Sequence, residues 1–290
     1  EGIRIECADL MEGWHNVQIA KVQMDDYYHY ADYSAFIKNM DYNDEKYEGT
    51  DYIGDGMWNA LYKIIIGCNN ILKQDERKEL KEIKIKQLIG EVYFYRAYCY
   101  FKLVRLFGNV PLIISLDISY NIKSSSISSI YEQIESDLVK STQLSKSYKT
   151  SSPQVTIPTM WIAKAFLAEV YLTWAGFPLY DFEKYGLAAK ISEDIILNES
   201  IHGYKLENDY LHVWGKEFST NSETMFAVLN RYISLHKEDY LWTEPEGFQL
   251  DDLHTYSHFF IRGATSIFYN SFPRDYRRDI TFINNIYVHD

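Results

Sequence analysis

The stretch Gln87–Leu112, QLIGEVYFYRAYCYFKLVRLFGNVPL, constrains this chain more than any other. It reads as one long helix stopped by Gly108 and Pro111, because glycine takes the left-handed conformation that closes helices and proline cannot continue one. At about 100° per residue, Glu91, Tyr95, Tyr98, Lys102 and Arg105 share one narrow strip, which is expected to be a solvated face. Leu88, Ile89, Val92, Phe94, Cys99, Phe101 and Leu103 help fill the remaining arc, so the helix must be covered on most sides. Glu91, Arg96, Lys102 and Arg105 recur too often for a bilayer span, and the covering elements must therefore be other helices. Gly90 and Ala97 lie close together on it and leave room for a neighbouring backbone. Arg96 falls inside the apolar arc, where an unpaired guanidinium is very costly, so a carboxylate or helix-end carbonyls must meet it.

The rest of the chain supplies such helices. Met57–Gln74 carries Trp58, Leu61, Tyr62, Ile65, Cys68, Asn69 and Leu72 at three- and four-residue spacing. It is expected to form an antiparallel hairpin with the long helix, which should begin near Leu80. A loop from Gly108 to about Ser128 leads to a helix over Ile130, Ile134 and Leu138, fading near Leu144, with Ser129 and Glu132 spaced as a capping box. After a polar loop at Lys146–Thr156, Pro158 suits the first turn of a helix ending at Gly176, and Asp181 is placed to cap another running to about Leu197. RAYCYFKLVRLFG from Arg96 aligns without gaps on KAFLAEVYLTWAG from Lys164, each ending in a glycine shortly followed by Pro-Leu. Hairpins with recurring small packing residues are what tetratricopeptide-like arrays are built from.

Beyond Ser200 the periodicity weakens. Leu235–Ser271 reads as loop and Thr281–Val288 as a strand, while Met11–Met40 is mixed and Asp41–Asp55, acidic and rich in tyrosine, reads as a surface loop.

The chain holds 29 basic and 41 acidic residues, a net charge of −12, which disfavours a phosphate-tracking surface and nucleic acid as a partner. Three cysteines do not make a disulfide framework. No apolar run is long enough to span a membrane, and the opening residues lack the form of a signal peptide. HExxH, GxSxG, glycine-rich phosphate loops and paired CxxC motifs are missing, so the expectation is a protein that is not an enzyme and needs no cofactor. Asp251, Asp252, His254 and His258 form the most metal-like cluster, with Asp25, Asp26 and His29 behind it; both read better as exposed polar residues than as ligands.

Aromatics are the compositional outlier, with 26 tyrosines and six tryptophans. Exposed rings stack on sugar faces, and nearby carboxylates accept hydroxyl protons. Trp242 and Phe248, with Glu244, lie in one loop-like stretch; Tyr47, Asp51, Tyr52 and Asp55 lie in the acidic loop. These are the candidate ligand-binding residues. Trp58, Trp161 and Trp174 sit at helical spacing and are assigned to the core.

WNALYKIIIGCNNIL, RAYCYFKLVRLFGNVPL, SISSIYEQIESDL, AKAFLAEVYL, GYKLENDYLHVW followed by NSETMFAV, and RDYRRDITF occur in an order that resembles the SusD/RagB family, surface glycan-binding lipoproteins of Bacteroidetes. The resemblance covers roughly Met57–Phe282. It implies a mainly α fold in which tetratricopeptide-like hairpins, about 57–198, pack against an irregular loop-rich lobe, about 199–290 with the 41–55 loop, as one domain. It also implies non-catalytic capture of oligosaccharide, a lipid anchor in the outer membrane and a SusC-like TonB-dependent transporter as partner. Peptide capture within the same fold, or a protein-binding tetratricopeptide scaffold, is the alternative. The lipidated amino-terminal signal of the family is absent and members are usually longer, so the chain is expected to be truncated.

Overall fold

A computed structural model describes residues 27–29, 52–75, 83–116, 121–145, 157–210, 213, 222–226, 262–264 and 266–281. They fall into two compact units, one holding the helical residues between 56 and 208 with 213 and 222–226, the other holding 27–29, 52–55, 209–210, 262–264 and 266–281. The fold is mainly helical.

The first unit is a run of helices, each laid against the next. Helix α1 spans Tyr52–Asp75, α2 Ile83–Phe107, α3 Ile127–Leu144, α4 Met160–Trp174 and α5 Glu183–Leu197, followed by the single turn α6, Glu199–His202. Trp58, early in α1, meets the ring of Phe107 at the end of α2, with centroids 5.1 Å apart. Asn69, late in α1, meets Arg96 in the middle of α2. Advancing along one helix thus retreats along the other, and the expected antiparallel hairpin is present. Helix α3 packs on α2, α4 on α3 and α5 on α4. The shared core takes Leu61, Ile64 and Ile65 from α1, Phe94, Tyr100 and Leu103 from α2, Ile130, Ile134 and Leu138 from α3, and Val170 from α4. Each such side chain contributes about 1.5–3 kcal/mol when fully buried. Trp161 and Trp174 are buried and Trp58 is half-buried against the same core, as their spacing required. Cys68 and Cys99 are buried free thiols.

At Gly90, α2 comes into close contact with the end of α3. A Cβ there would lie 2.6 Å from Ser145 Oγ and 2.8 Å from the Ser145 backbone nitrogen, so only glycine lets the end of α3 rest on α2. Gly108, with φ +69°, closes α2 in the left-handed conformation, and its N–H donates to Val104 O at 3.1 Å.

Arg96 has the partners its position demanded. Its Nε and Nη2 donate to the two carboxylate oxygens of Asp137 on α3, each at 2.7 Å, and its Nη1 donates to Asn69 Oδ1 on α1 at 2.8 Å. Gln133 Nε2 donates to the same carboxylate at 2.8 Å. Burial opposes the charge on Arg96, but the bidentate bond and the Asp137 carboxylate outweigh it and raise its pKa further. The network continues into the segment after α2. Asn69 Nδ2 donates to Ile113 O at 2.8 Å, Tyr100 O–H donates to the same carbonyl at 2.8 Å while accepting from Ile113 N–H at 2.7 Å, and Tyr62 O–H donates to Pro111 O at 2.7 Å. Three side chains from two helices therefore tie down Pro111–Ile113.

Several expectations are corrected. The strip on α2 is not a solvated face: Glu91, Tyr95 and Tyr98 are buried, and only Lys102 and Arg105 stay exposed, whereas Leu88 is half exposed. Tyr98 is covered by Phe166 of α4 and by Phe226, and a tyrosine can bury its ring while its hydroxyl keeps a partner. Helix α3 begins at Ile127 with Ser126, not Ser129, as its N-cap; Ser126 Oγ accepts from Ser129 N–H at 3.2 Å. Thr159 caps α4, accepting from Ile162 N–H at 3.3 Å, which leaves Pro158 ahead of the cap and outside the first turn. Asp181 does not cap α5 with its side chain; its backbone carbonyl accepts from Lys184 N–H, and Phe182 occupies the cap position. The expected loop Asp41–Asp55 gives way to α1 from Tyr52 onward.

In the second unit, Tyr27–His29 (β1) pairs antiparallel with Arg262–Ala264 (β2), Tyr28 opposite Gly263. Ser266–Ser271 (α7) and Tyr276–Thr281 (α8) are short helices. Part of the expected loop Leu235–Ser271 is therefore strand and helix, and Thr281 ends a helix, while the rest of the expected strand, 282–288, lies outside the described residues. Tyr276 O–H donates to Asp209 at 3.2 Å within this unit.

Candidate functional site

Two aromatic assemblies stand out in the helical unit, the first buried and the second exposed. The first is a cleft of about 290 Å³ between α2, α4 and residues Met225–Phe226. Its floor is built around Phe166 of α4, whose ring lies 5.4 Å from Tyr98, 5.5 Å from Phe94 and 5.3 Å from Phe101. These three α2 residues recur at three- and four-residue spacing, which brings them to one face of the helix. Phe226 closes the far side, 5.2 Å from Phe94. Lys102, Arg105 and Glu169 add charge to the lining. Lys102 Nζ stands 5.3 Å from the centroid of Tyr98 and the Arg105 guanidinium 5.4 Å from that of Phe101, so each cation lies over a ring that favours it. Phe94, Tyr98 and Phe101 are themselves buried, so the cleft is an opening over packed core rings, with two cations and one carboxylate in its lining.

The second is the corner between α4 and α5, GFPLYDFEKYG from Gly176 to Gly186. Phe177, Tyr180, Phe182 and Tyr185 are 78, 55, 65 and 45% exposed. Their rings follow one another at centroid distances of 6.0, 6.2 and 6.3 Å, and the Phe182 and Tyr185 planes are within 11° of parallel. Tyr180 takes φ +53°, the left-handed region that costs a bulky residue roughly 1–2 kcal/mol. Backbone bonds hold the corner: Tyr180 N–H donates to Gly176 O at 2.8 Å, Phe182 N–H to Tyr180 O at 3.0 Å and Tyr185 N–H to Phe182 O at 3.2 Å. Leu179 packs inward against the core.

Lys184 anchors the corner from behind. Its Nζ lies 3.2 Å from both Glu135 oxygens on α3 and 3.9 Å from the Trp174 ring centroid. Tyr171 O–H donates to the same Glu135 carboxylate, and burial together with that carboxylate pushes the tyrosine pKa up.

Of the residues singled out in the sequence, Tyr52 and Asp55 lie on the first turn of α1 and not on a loop. Tyr47, Asp51, Trp242, Glu244 and Phe248 lie outside the described residues, as do Asp251, Asp252, His254 and His258. Among the described residues no group of three or more His, Cys, Asp or Glu is placed to hold a metal ion, and no helix is long and apolar enough to cross a membrane. The two aromatic assemblies are not evident from the sequence pattern. Phe94 and Phe101 looked like any apolar helix face, and their assembly with Phe166 and Phe226 depends on distant segments. The corner did carry a signal: four aromatics between two glycines, interleaved with acids.

A family model named SusD-like and described as "Starch-binding associating with outer membrane" matches residues 10–172. The SusD-like protein P2 of Formosa agariphila is 29% identical over 183 residues, 59% of this chain and 33% of that protein. A laminarin-binding SusD-like protein superposes with a TM-score of 0.63 at 22% identity, covering 78% of this chain and 49% of its own. A structure with a xylogluco-oligosaccharide gives 0.61 at 21% identity, covering 78% and 44%. These superpositions speak for a shared helical, tetratricopeptide-like fold. The chain spans a third of the length of the Formosa relative and less than half of the two structures. With more than half of its residues matched by one family model, this chain belongs to the SusD-like family.

Proposed function

We propose that the chain is a non-catalytic binding protein that captures oligosaccharide or polysaccharide at the cell surface, held at the outer membrane by a lipid anchor. It passes the glycan to a SusC-like TonB-dependent transporter. The observation that carries this reading is the family match over residues 10–172. Two structural neighbours described with laminarin and with a xylogluco-oligosaccharide support it, as does an exposed ring cluster of the kind that sugar faces stack on. In the proposed ligand lobe, residues 199–290 with the 41–55 stretch, Trp242, Phe248, Tyr52 and Tyr47 are the stacking platforms. Asp51, Asp55 and Glu244 bond sugar hydroxyls.

Isothermal calorimetry with laminari- and xylogluco-oligosaccharides and a broader glycan panel tests this. The expected result is saturable binding by the intact chain, weakened by Trp242→Ala. Binding of a peptide pool with no response to any sugar, and no effect of Trp242→Ala, overturns it in favour of peptide capture or a protein-binding scaffold. Co-purification with a TonB-dependent transporter from outer membranes tests the second half.

A further inference from the structure

Four large aromatic side chains held outward on a turn are an anomaly, since ordinary packing buries such rings and surfaces rarely group them. Three features show that the corner is built to display them. Its backbone is closed by successive hydrogen bonds through Tyr180, Phe182, Lys184 and Tyr185. Lys184 is locked to Glu135 and Trp174, and Leu179 is the side chain spent on packing. Tyr180 holds the left-handed conformation that a glycine would adopt without strain.

The charges on the turn narrow the partner. Between Gly176 and Gly186 the charged residues are Asp181, Glu183 and Lys184. Lys184 faces inward against Glu135, which leaves the exposed Glu183 and the half-buried Asp181 beside the rings. Carboxylates accept hydrogen bonds from hydroxyls and repel sulfate and uronate groups. An apolar ring face combined with acceptors and no outward cation on the turn is complementary to a neutral sugar.

We infer that the α4–α5 corner is a glycan-binding surface for neutral oligosaccharide, with Phe177, Tyr180, Phe182 and Tyr185 as the stacking rings and Asp181 and Glu183 as hydroxyl acceptors. The inference rests on the glycan-capture reading and adds to it a second contact, away from the 41–55 stretch and from Trp242 in sequence.

The test compares the intact chain with Phe182→Ala/Tyr185→Ala by calorimetry, using laminari- and xylogluco-oligosaccharides, with a sulfated oligosaccharide as control. Circular dichroism melts establish that the variant folds, and Asp181→Asn serves as a milder second variant. The expected result is about a tenfold weaker Kd for the double variant, a smaller loss for Asp181→Asn, and no binding of the sulfated sugar. Unchanged affinity in the folded double variant, or a preference for the sulfated sugar, overturns the corner while leaving glycan capture standing. A folded intact chain that binds no glycan of any kind removes the capture reading and the corner with it. If the double variant keeps its glycan affinity but loses a self-association seen by analytical ultracentrifugation, the rings are a protein contact and the inference fails.

Discussion

Helices α2 and α5 mark the two extremes of this array. In α2 every residue from Ile89 to Val104 is buried except Tyr93 and Lys102, whereas in α5 Ala188 is the one buried residue. The contrast is clearest at two residues that the internal repeat aligns. Arg96 on α2 pairs with Asp137 on the following helix, and Lys164 on α4 pairs with Asp194 on the following helix. The relation between helices is the same, but the first pair has side-chain exposures of 6 and 0% and the second 25 and 46%. The first is a planar guanidinium bonded at both oxygens with Asn69 and Gln133 completing the site; the second is a single ammonium contact at 2.6 Å. One repeat position thus hosts an obligatory network at one end of the array and a dispensable contact at the other, and solvent decides which.

Breaking the buried pair should have the largest effect. Arg96→Met leaves the Asp137 carboxylate buried without its cation and should cost about 3–5 kcal/mol in urea unfolding, with glycan affinity of the folded fraction unchanged. Replacing both partners together, Arg96→Met with Asp137→Leu, should recover much of that stability; no recovery would mean that Asn69 and Gln133 matter more than the ion pair.

Gly90→Ala attacks the same end of the array through packing. An alanine Cβ clashes with Ser145 at the end of α3, and overpacking of this kind costs about 1–3 kcal/mol, against a helix-propensity gain of about 1 kcal/mol. A net loss of stability is expected; a net gain would show that the α2–α3 contact gives way freely.

Alkaline titration sharpens the contrast chemically. Burial pushes the Cys68 thiol from 9.0 to about 12, and burial also raises Tyr62 and Tyr100 above their ordinary 10.0. The folded chain keeps these protons while the unfolded chain releases them, so their contribution is complete below pH 9 and is lost as pH rises toward the folded values. From pH 9 to 10 one such group lowers stability by at most about 1.4 kcal/mol. The urea midpoint should therefore fall steadily above pH 9, and Cys68→Ala should flatten the first part of that fall.

Lys164→Met should do least. A partly exposed, solvent-screened pair of this kind contributes about 0–1 kcal/mol, so a shift in the urea midpoint comparable to that of Arg96→Met would erase the distinction between the two ends.

Much of the helical array was legible in the sequence. The Gly108 stop, the need for a partner at Arg96, the close approach at Gly90 and the α1–α2 hairpin all follow from periodicity and from the cost of burying charge. Helix starts were harder to read, because Ser126, Ser129, Thr159, Pro158 and Asp181 all have suitable chemistry and only backbone direction selects among them. The polar strip on α2 misled because tyrosine counts as polar in a periodic pattern yet stacks as an apolar ring once Phe166 and Phe226 reach it. Of the candidate site, the sequence located aromatics beside acids, but it drew attention to Trp242 and Tyr52 and passed over Phe182 and Tyr185.

The sequence by itself determined the family, the mainly helical class and the buried cation, because each is encoded in local spacing or in a charge that apolar neighbours cannot tolerate. Tertiary structure alone decided that Asp137 is the partner of Arg96, that Phe94, Tyr98 and Phe101 line a cleft, and that Lys184 turns inward and leaves an acidic, ring-bearing corner in water. Those outcomes depend on which segments, far apart in the chain, are brought within contact distance, and local spacing does not carry that information.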